Sequence, residues 1–191
     1  MPRIDAPTVA EHRARKERAI LSATVDLLVN EGDDAVTPAA VAKRSGIART
    51  SVYQYHGSTA ELIAAAVMEL FRRAEAEMDA ALSAAGDDPE ERLRAYVTTT
   101  LQLARDGHAP ARPAALAGAP AECRAAVREC HQRLMAPLAA IVDALGAAEV
   151  GTTAALAAGS LQAASQLVEH GADLSEVADV TCTFIARAVR P

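Results

Sequence analysis

TPAAVAKRSGIARTSVYQYHGSTAEL, residues 37–62, reads as two short helices joined by a tight turn, followed by the start of a longer one. Thr37 stands where an N-cap belongs, and Pro38 follows at the first helical position, where its missing N–H costs nothing. Ala40, Val41 and Ala42 offer a small apolar face. Lys43 and Arg44 fall in the last turn, where cations suit the helix dipole. Gly46 can take the positive φ that follows a helix end, and Ile47 fills the corner between the two helices. In the second short helix Val52 points inward, leaving Arg49, Ser51 and Gln54 to point out. Ser58 and Glu61 have the spacing of a capping box for the longer helix. Arg49, Thr50, Ser51, Tyr53, Gln54, Tyr55 and His56 crowd seven hydrogen-bonding side chains or polar rings onto one short rod. A helix-turn-helix sets such a rod in the major groove of DNA.

Upstream, Thr8 and Glu11 have capping-box spacing. Ile20, Ala23, Thr24, Leu27 and Leu28 repeat at helical spacing as far as Gly32. A long first helix packing across the two short ones completes a three-helix unit. From about Arg18 to Leu70 the chain resembles the DNA-binding domain of the TetR family of bacterial regulators. The resemblance is carried by Asn30-Glu31-Gly32 ending the first helix and Thr37 opening the second. It continues through the Ala42…Ser45-Gly46-Ile47 turn, Val52-Tyr53…Tyr55, and Gly57-Ser58…Glu61-Leu62. A bare helix-turn-helix pattern is a weak signal, whereas this extended match, in order and without gaps, is specific. Three positions depart from the family's habit. Ala48 replaces a Ser or Thr cap on the recognition helix, a loss of about 0.5–2 kcal/mol. His56 stands where Phe is common. Thr59 stands where a phosphate-binding Lys is common.

The net charge of −6 over 191 residues looks wrong for a DNA binder until it is divided. Residues 1–56 hold eight Lys/Arg and seven Asp/Glu, a net of +1, which leaves −7 for the remainder. Local charge sets phosphate attraction within a Debye length. The run Arg13-Ala14-Arg15-Lys16 is either a solvated helix face or a phosphate contact, and the context favours the second.

The rest of the chain is helical and alanine-rich, with hydrophobic residues at 51%, aromatics at 3% and no Trp. No alternating β-branched run argues for a sheet. No apolar stretch reaches membrane-spanning length, and the polar start MPRIDAPTVAEHR is no secretory signal, so a cytoplasmic all-α protein is expected. Helices are expected over 59–84, 89–106, 121–145 (kinked at Pro137), 149–169, and from Asp173 to about Val189. Gly107, Pro110, Pro113, Gly118 and Pro120 punctuate a stretch with room for one short helix, giving about nine in all. Residues 1–62 make the helix-turn-helix domain and 63–191 a helical effector-binding and dimerisation domain.

In the family the two C-terminal helices pair with those of a second subunit. Leu156, Gly159, Ala163 and Leu167, with Val177, Val180, Thr181 and Phe184, are the candidates here; the plainer alternative is burial in the chain's own core. The resemblance also implies an effector cavity, mostly apolar with a few orienting polar groups. By position its candidate lining is Tyr96, Thr100, Leu103, His108, Arg112, His131, Met135, Gln162 and Gln166. Each has a plain structural alternative.

Cys123 and Cys130 lie seven residues apart beside His131, and with Cys182 they raise a metal or redox sensor as an alternative. Seven residues of helix rise about 10 Å, too far for a shared bridge and poor for one metal. Buried structural thiols explain them more simply. No phosphate-cradling glycine loop, nucleophile elbow or metal-binding His-Glu-x-x-His helix is present, so neither an enzyme nor a cofactor is expected. The reading is a dimeric repressor that leaves a pseudo-palindromic operator when a small molecule binds. The alternatives are the cysteine-based sensor and an all-α interaction protein that does not bind DNA. Arg49, Thr50, Ser51 and Gln54 are assigned to bases; Lys16, Thr37, Tyr53, Tyr55, His56 and Thr59 are assigned to the phosphate backbone.

Overall fold

The computed structural model describes residues 9–107 and 119–189. Among these it contains eight α-helices, one short 3-10 turn and no strand. They are α1 (Val9–Glu31), α2 (Pro38–Ser45), α3 (Arg49–Tyr55), α4 (Thr59–Ala85), α5 (Pro89–Arg105), α6 (Ala121–Ala144), α7 (Val150–Glu169) and α8 (Leu174–Val189). The 3-10 turn is Asp33–Ala35. The expected boundaries agree with these to within a residue or so. The proposed Thr8 cap and most of the Pro- and Gly-punctuated stretch lie outside the described residues. None of the described helices is long and apolar enough to cross a membrane.

The chain divides into two compact units: residues 1–69 with 111–127, and residues 70–110 with 128–191. In the first, α1 buries Ile20, Ala23, Thr24, Val25 and Leu27, whereas Leu28 is only half-buried. Thr24 is tolerated in this core because its hydroxyl donates to the Ile20 carbonyl at 2.8 Å. α2 packs on α1 and α3 on α2, with Val41 and Val52 fully buried. Thr37 caps α2 by accepting from the Ala40 N–H at 3.1 Å. Gly46 ends it at φ 69°, and the Ile47 N–H reaches back to the Ala42 carbonyl. A Cβ at Gly46 would meet nothing within 4 Å, so the backbone angle alone asks for glycine. Ser58 Oγ accepts from the Glu61 N–H at 3.2 Å. The Glu61 carboxylate in turn accepts from the Gly57 N–H at 2.9 Å.

In the second unit α5 packs against α7 and α8, which also pack on each other. Asp88 caps α5, accepting from the N–H groups of Glu90 and Glu91. Leu93, Tyr96, Val97 and Leu101 then form a buried stripe along it. Arg92 donates to the carbonyls of Leu82 and Gly86 where α4 ends, satisfying groups the helix itself leaves open. α6 continues through Pro137 to Ala144.

Candidate nucleic-acid interface

α3 is seven residues long and stands on the first unit with one side chain, Val52, fully buried. Arg49, Thr50, Tyr53 and Gln54 are exposed, and Ser51, Tyr55 and His56 are half-buried. Tyr53 keeps 45% of its surface in solvent. The helix therefore turns Arg49, Thr50, Tyr53 and Gln54 outward while Val52 packs behind it. Ala48, the residue before it, supplies no side-chain cap.

The flanking candidates are placed as follows. Thr37 is exposed; its hydroxyl oxygen is used by the cap bond, but the hydroxyl proton remains available to an acceptor outside. Thr59 opens α4 and is half-buried, as is Lys16 on α1. Tyr55 turns away from the outer face. Its hydroxyl donates to the Arg13 carbonyl at 3.3 Å, and the Arg13 guanidinium lies 5.8 Å from its ring centre. His56 closes α3, its N–H bonded to the Val52 carbonyl. Burial pushes its imidazole below the ordinary value, against a weaker upward pull from Glu17 and Glu61.

Two features of this face had no clear mark in the sequence. Arg44, read as a dipole partner at the end of α2, forms ion pairs with both Asp26 and Glu31 of α1. It therefore fastens two helices together. The second is a cation–π contact in which the Arg49 guanidinium lies 5.9 Å from the Tyr53 ring centre. The i, i+4 spacing could have signalled the latter. Nothing local could have signalled the former, because its partners lie 18 and 13 residues away.

The effector candidates divide in space. Tyr96 and Leu103 are buried, and Thr100 and Met135 are half-buried. The Tyr96 hydroxyl donates to the Leu134 carbonyl at 3.2 Å, and burial pushes its phenol well above the ordinary tyrosine value. Thr100 donates to the Tyr96 carbonyl. His131 is exposed and meets Phe71 edge-on at 6.2 Å, while Gln162 and Gln166 lie on the outside of α7. His108 and Arg112 lie outside the described residues. A half-open cleft of about 320 Å³ in the second unit is lined by Glu75, Met78, Asp79, Arg133, Leu134, Ala136 and Pro137.

On α7 and α8, Leu156, Leu167, Val180 and Phe184 are 70%, 57%, 65% and 58% exposed, with Gly159 and Ala163 exposed between the leucines. Val177 is half-buried. Thr181 faces inward and donates to the Val177 carbonyl. All three cysteines are free; Cys130 and Cys182 are buried and Cys123 half-buried. No group of three or more metal-ligating side chains occurs among the described residues.

Residues 20–66 match the model of bacterial regulatory proteins of the tetR family. A protein from Rhodococcus sp., assigned to the TetR family of transcriptional regulators, is similar over 92% of this chain and 99% of its own, with a TM-score of 0.74 at 16% identity. The transcriptional regulator FadR from Bacillus subtilis, in complex with stearoyl-CoA, is similar over 91% and 99%, with a TM-score of 0.73 at 15% identity. A protein from Saccharomonospora viridis, assigned as a transcriptional regulator and in complex with choline, is similar over 91% and 96%, with a TM-score of 0.73 at 17% identity. No curated protein matches the chain.

Proposed function

We infer, from an N-terminal segment that belongs to the tetR family of bacterial regulatory proteins and a chain with the fold of that family's solved structures, that this protein is a dimeric DNA-binding repressor relieved by a small molecule. The observation that carries the reading is the outward face of α3. Arg49, Thr50, Tyr53 and Gln54 are presented to solvent on a helix fixed from behind by Val52 and framed by α1 and α2. A guanidinium and a primary amide are the groups that make paired hydrogen bonds to guanine and adenine edges. Thr37, Lys16 and Thr59 supply hydroxyls and a cation for phosphates.

The apolar stripe on α7 and α8 is the proposed dimer surface. Four large apolar side chains in water on two adjacent helices cost free energy that a second copy would recover. Two-fold symmetry would present two copies of α3 to two half-sites about one helical turn apart. Two proteins of this fold hold stearoyl-CoA and choline, molecules of unlike size and charge, so the fold does not prescribe the ligand. Release follows if the effector prefers a dimer state whose α3 spacing misfits the duplex.

Selection from a randomised duplex library, followed by footprinting of the enriched sequence, tests the reading. An inverted repeat protected at two half-sites is the expected result. Failure to enrich any duplex over a range of salt would refute it. The cysteine-sensor alternative predicts that oxidant or chelator alters the affinity for that duplex.

A further inference from the structure

The first unit contains two arginine–tyrosine cation–π contacts, and they differ in what surrounds them. In the Arg13–Tyr55 pair the tyrosine is half-buried, and its hydroxyl is tied to the Arg13 carbonyl across 42 residues of sequence. That pair joins α1 to α3 and has a structural purpose. The Arg49–Tyr53 pair lies on one exposed helix face, four residues apart, and joins nothing to anything else. Val52 already anchors α3. The second contact ties no other element to α3, so its use must be sought in what approaches the face from outside.

A free arginine side chain samples many rotamers, and fixing it on binding costs entropy. A ring held against the guanidinium restrains its rotamers and leaves an N–H edge to meet a ligand. That edge makes the two parallel bonds to O6 and N7 of guanine, a contact that depends on the orientation of the plane.

Resting on the DNA-binding reading above, we propose that Tyr53 is a positioning residue: its ring holds Arg49 in the pose that reads a guanine in each half-site. The hydroxyl of Tyr53 points to a separate task, a phosphate bond, which carries no sequence information. Ring and hydroxyl can therefore be separated by substitution.

The experiment uses the full chain and a randomised duplex library, followed by competition between duplexes with guanine or adenine at the selected position. Wild type should enrich guanine at one position per half-site, and Arg49→Ala should abolish that preference there. Tyr53→Phe keeps the ring; it should retain the preference while weakening binding to all duplexes alike. Tyr53→Leu should cut the guanine preference about three- to fivefold, with an unchanged melting temperature. The proposal is overturned if Tyr53→Leu weakens guanine and adenine duplexes equally, or if Tyr53→Phe loses the preference as fully as Tyr53→Leu. It is overturned too, with the DNA-binding reading intact, if wild type selects a sequence that Arg49→Ala leaves unaltered. If wild type selects no sequence at all, the functional reading and the proposal fall together.

Discussion

α3 and the α7–α8 face are both exposed, and their chemistry is opposite. On α3 the outward groups are Arg49, Thr50, Tyr53 and Gln54; on the C-terminal pair they are Leu156, Leu167, Val180 and Phe184. Each face backs onto a buried line: Val52 in one case, Ala157, Leu161, Ala164 and Val168 in the other. A polar rod in water is stable without a partner and gains by meeting a surface rich in donors and acceptors. An apolar stripe gains by meeting another apolar stripe. The contrast points to two different kinds of partner for one chain, nucleic acid for the first and protein for the second.

The sharpest way to break this contrast is to make the apolar face resemble the polar one. Leu156→Asp with Phe184→Asp would place four carboxylates in a two-fold interface, since each substitution occurs twice. Burial of such side chains stabilises by about 1.5–3 kcal/mol each. The dimer dissociation constant should therefore rise by at least about a thousandfold, read by sedimentation equilibrium, with operator affinity falling in step. A sedimentation profile indistinguishable from wild type would remove this face from the interface.

A smaller effect is expected behind the polar face. Thr37→Ala removes the α2 cap and should lower stability of the first unit by about 1 kcal/mol. The same change deletes a hydroxyl assigned to phosphate. Thermal melts and binding isotherms report the two losses separately.

Smaller again is a pH effect seated at His56. Burial depresses its folded-state value below the ordinary 6.5. Below about pH 6.5 the unfolded chain takes up a proton that the folded form resists, so the unfolded state binds more protons and stability falls as pH falls. The stability is fully present above the unfolded value and is lost as pH drops toward the depressed folded one. Urea midpoints at pH 7.5 and 5.5 should differ, and His56→Phe should narrow the gap. An equal gap in the variant would assign the dependence to other groups.

The smallest change separates two arginines that look alike in the sequence. Arg44 is occupied by Asp26 and Glu31, whereas Arg49 lies beside the Tyr53 ring and is exposed. Arg44→Ala should leave both sequence preference and the salt dependence of DNA binding nearly unaltered, because its guanidinium is already held by Asp26 and Glu31 and is not offered to a phosphate. A drop of about one in the salt slope would show that Arg44 meets a phosphate.

Local chemistry made most of the helix boundaries legible before any coordinates. The Thr37 cap, the Gly46 stop and the Asp88-Pro89 start all act within a turn of backbone, and the structure shows each performing that task. The inner side of α3 was legible for a related reason, because Val52 is its one aliphatic residue. Of the three groups expected outward, Arg49 and Gln54 are exposed and Ser51 is half-buried, while Thr50 and Tyr53 are exposed as well. Leu28 and Val25 show where periodicity fails. Both are apolar and helical, yet Val25 is buried and Leu28 is half-buried. Thr181 was placed with its apolar neighbours on the outer stripe, yet it lies inside, where its hydroxyl is satisfied by the Val177 carbonyl. The effector candidates were the hardest, since a cavity is bounded by residues brought together from several helices and no local pattern encodes it.

The sequence by itself determined an all-helical chain with a helix-turn-helix near its start, because caps, stops and apolar spacing are interactions among residues a few positions apart. Tertiary structure alone decided which arginine is committed to the frame and which tyrosine is tied inward. It also decided which leucines stand in water. Those outcomes depend on where helices far apart in the chain meet, and the free energy of an ion pair, a ring contact or a buried side chain exists only after they have met.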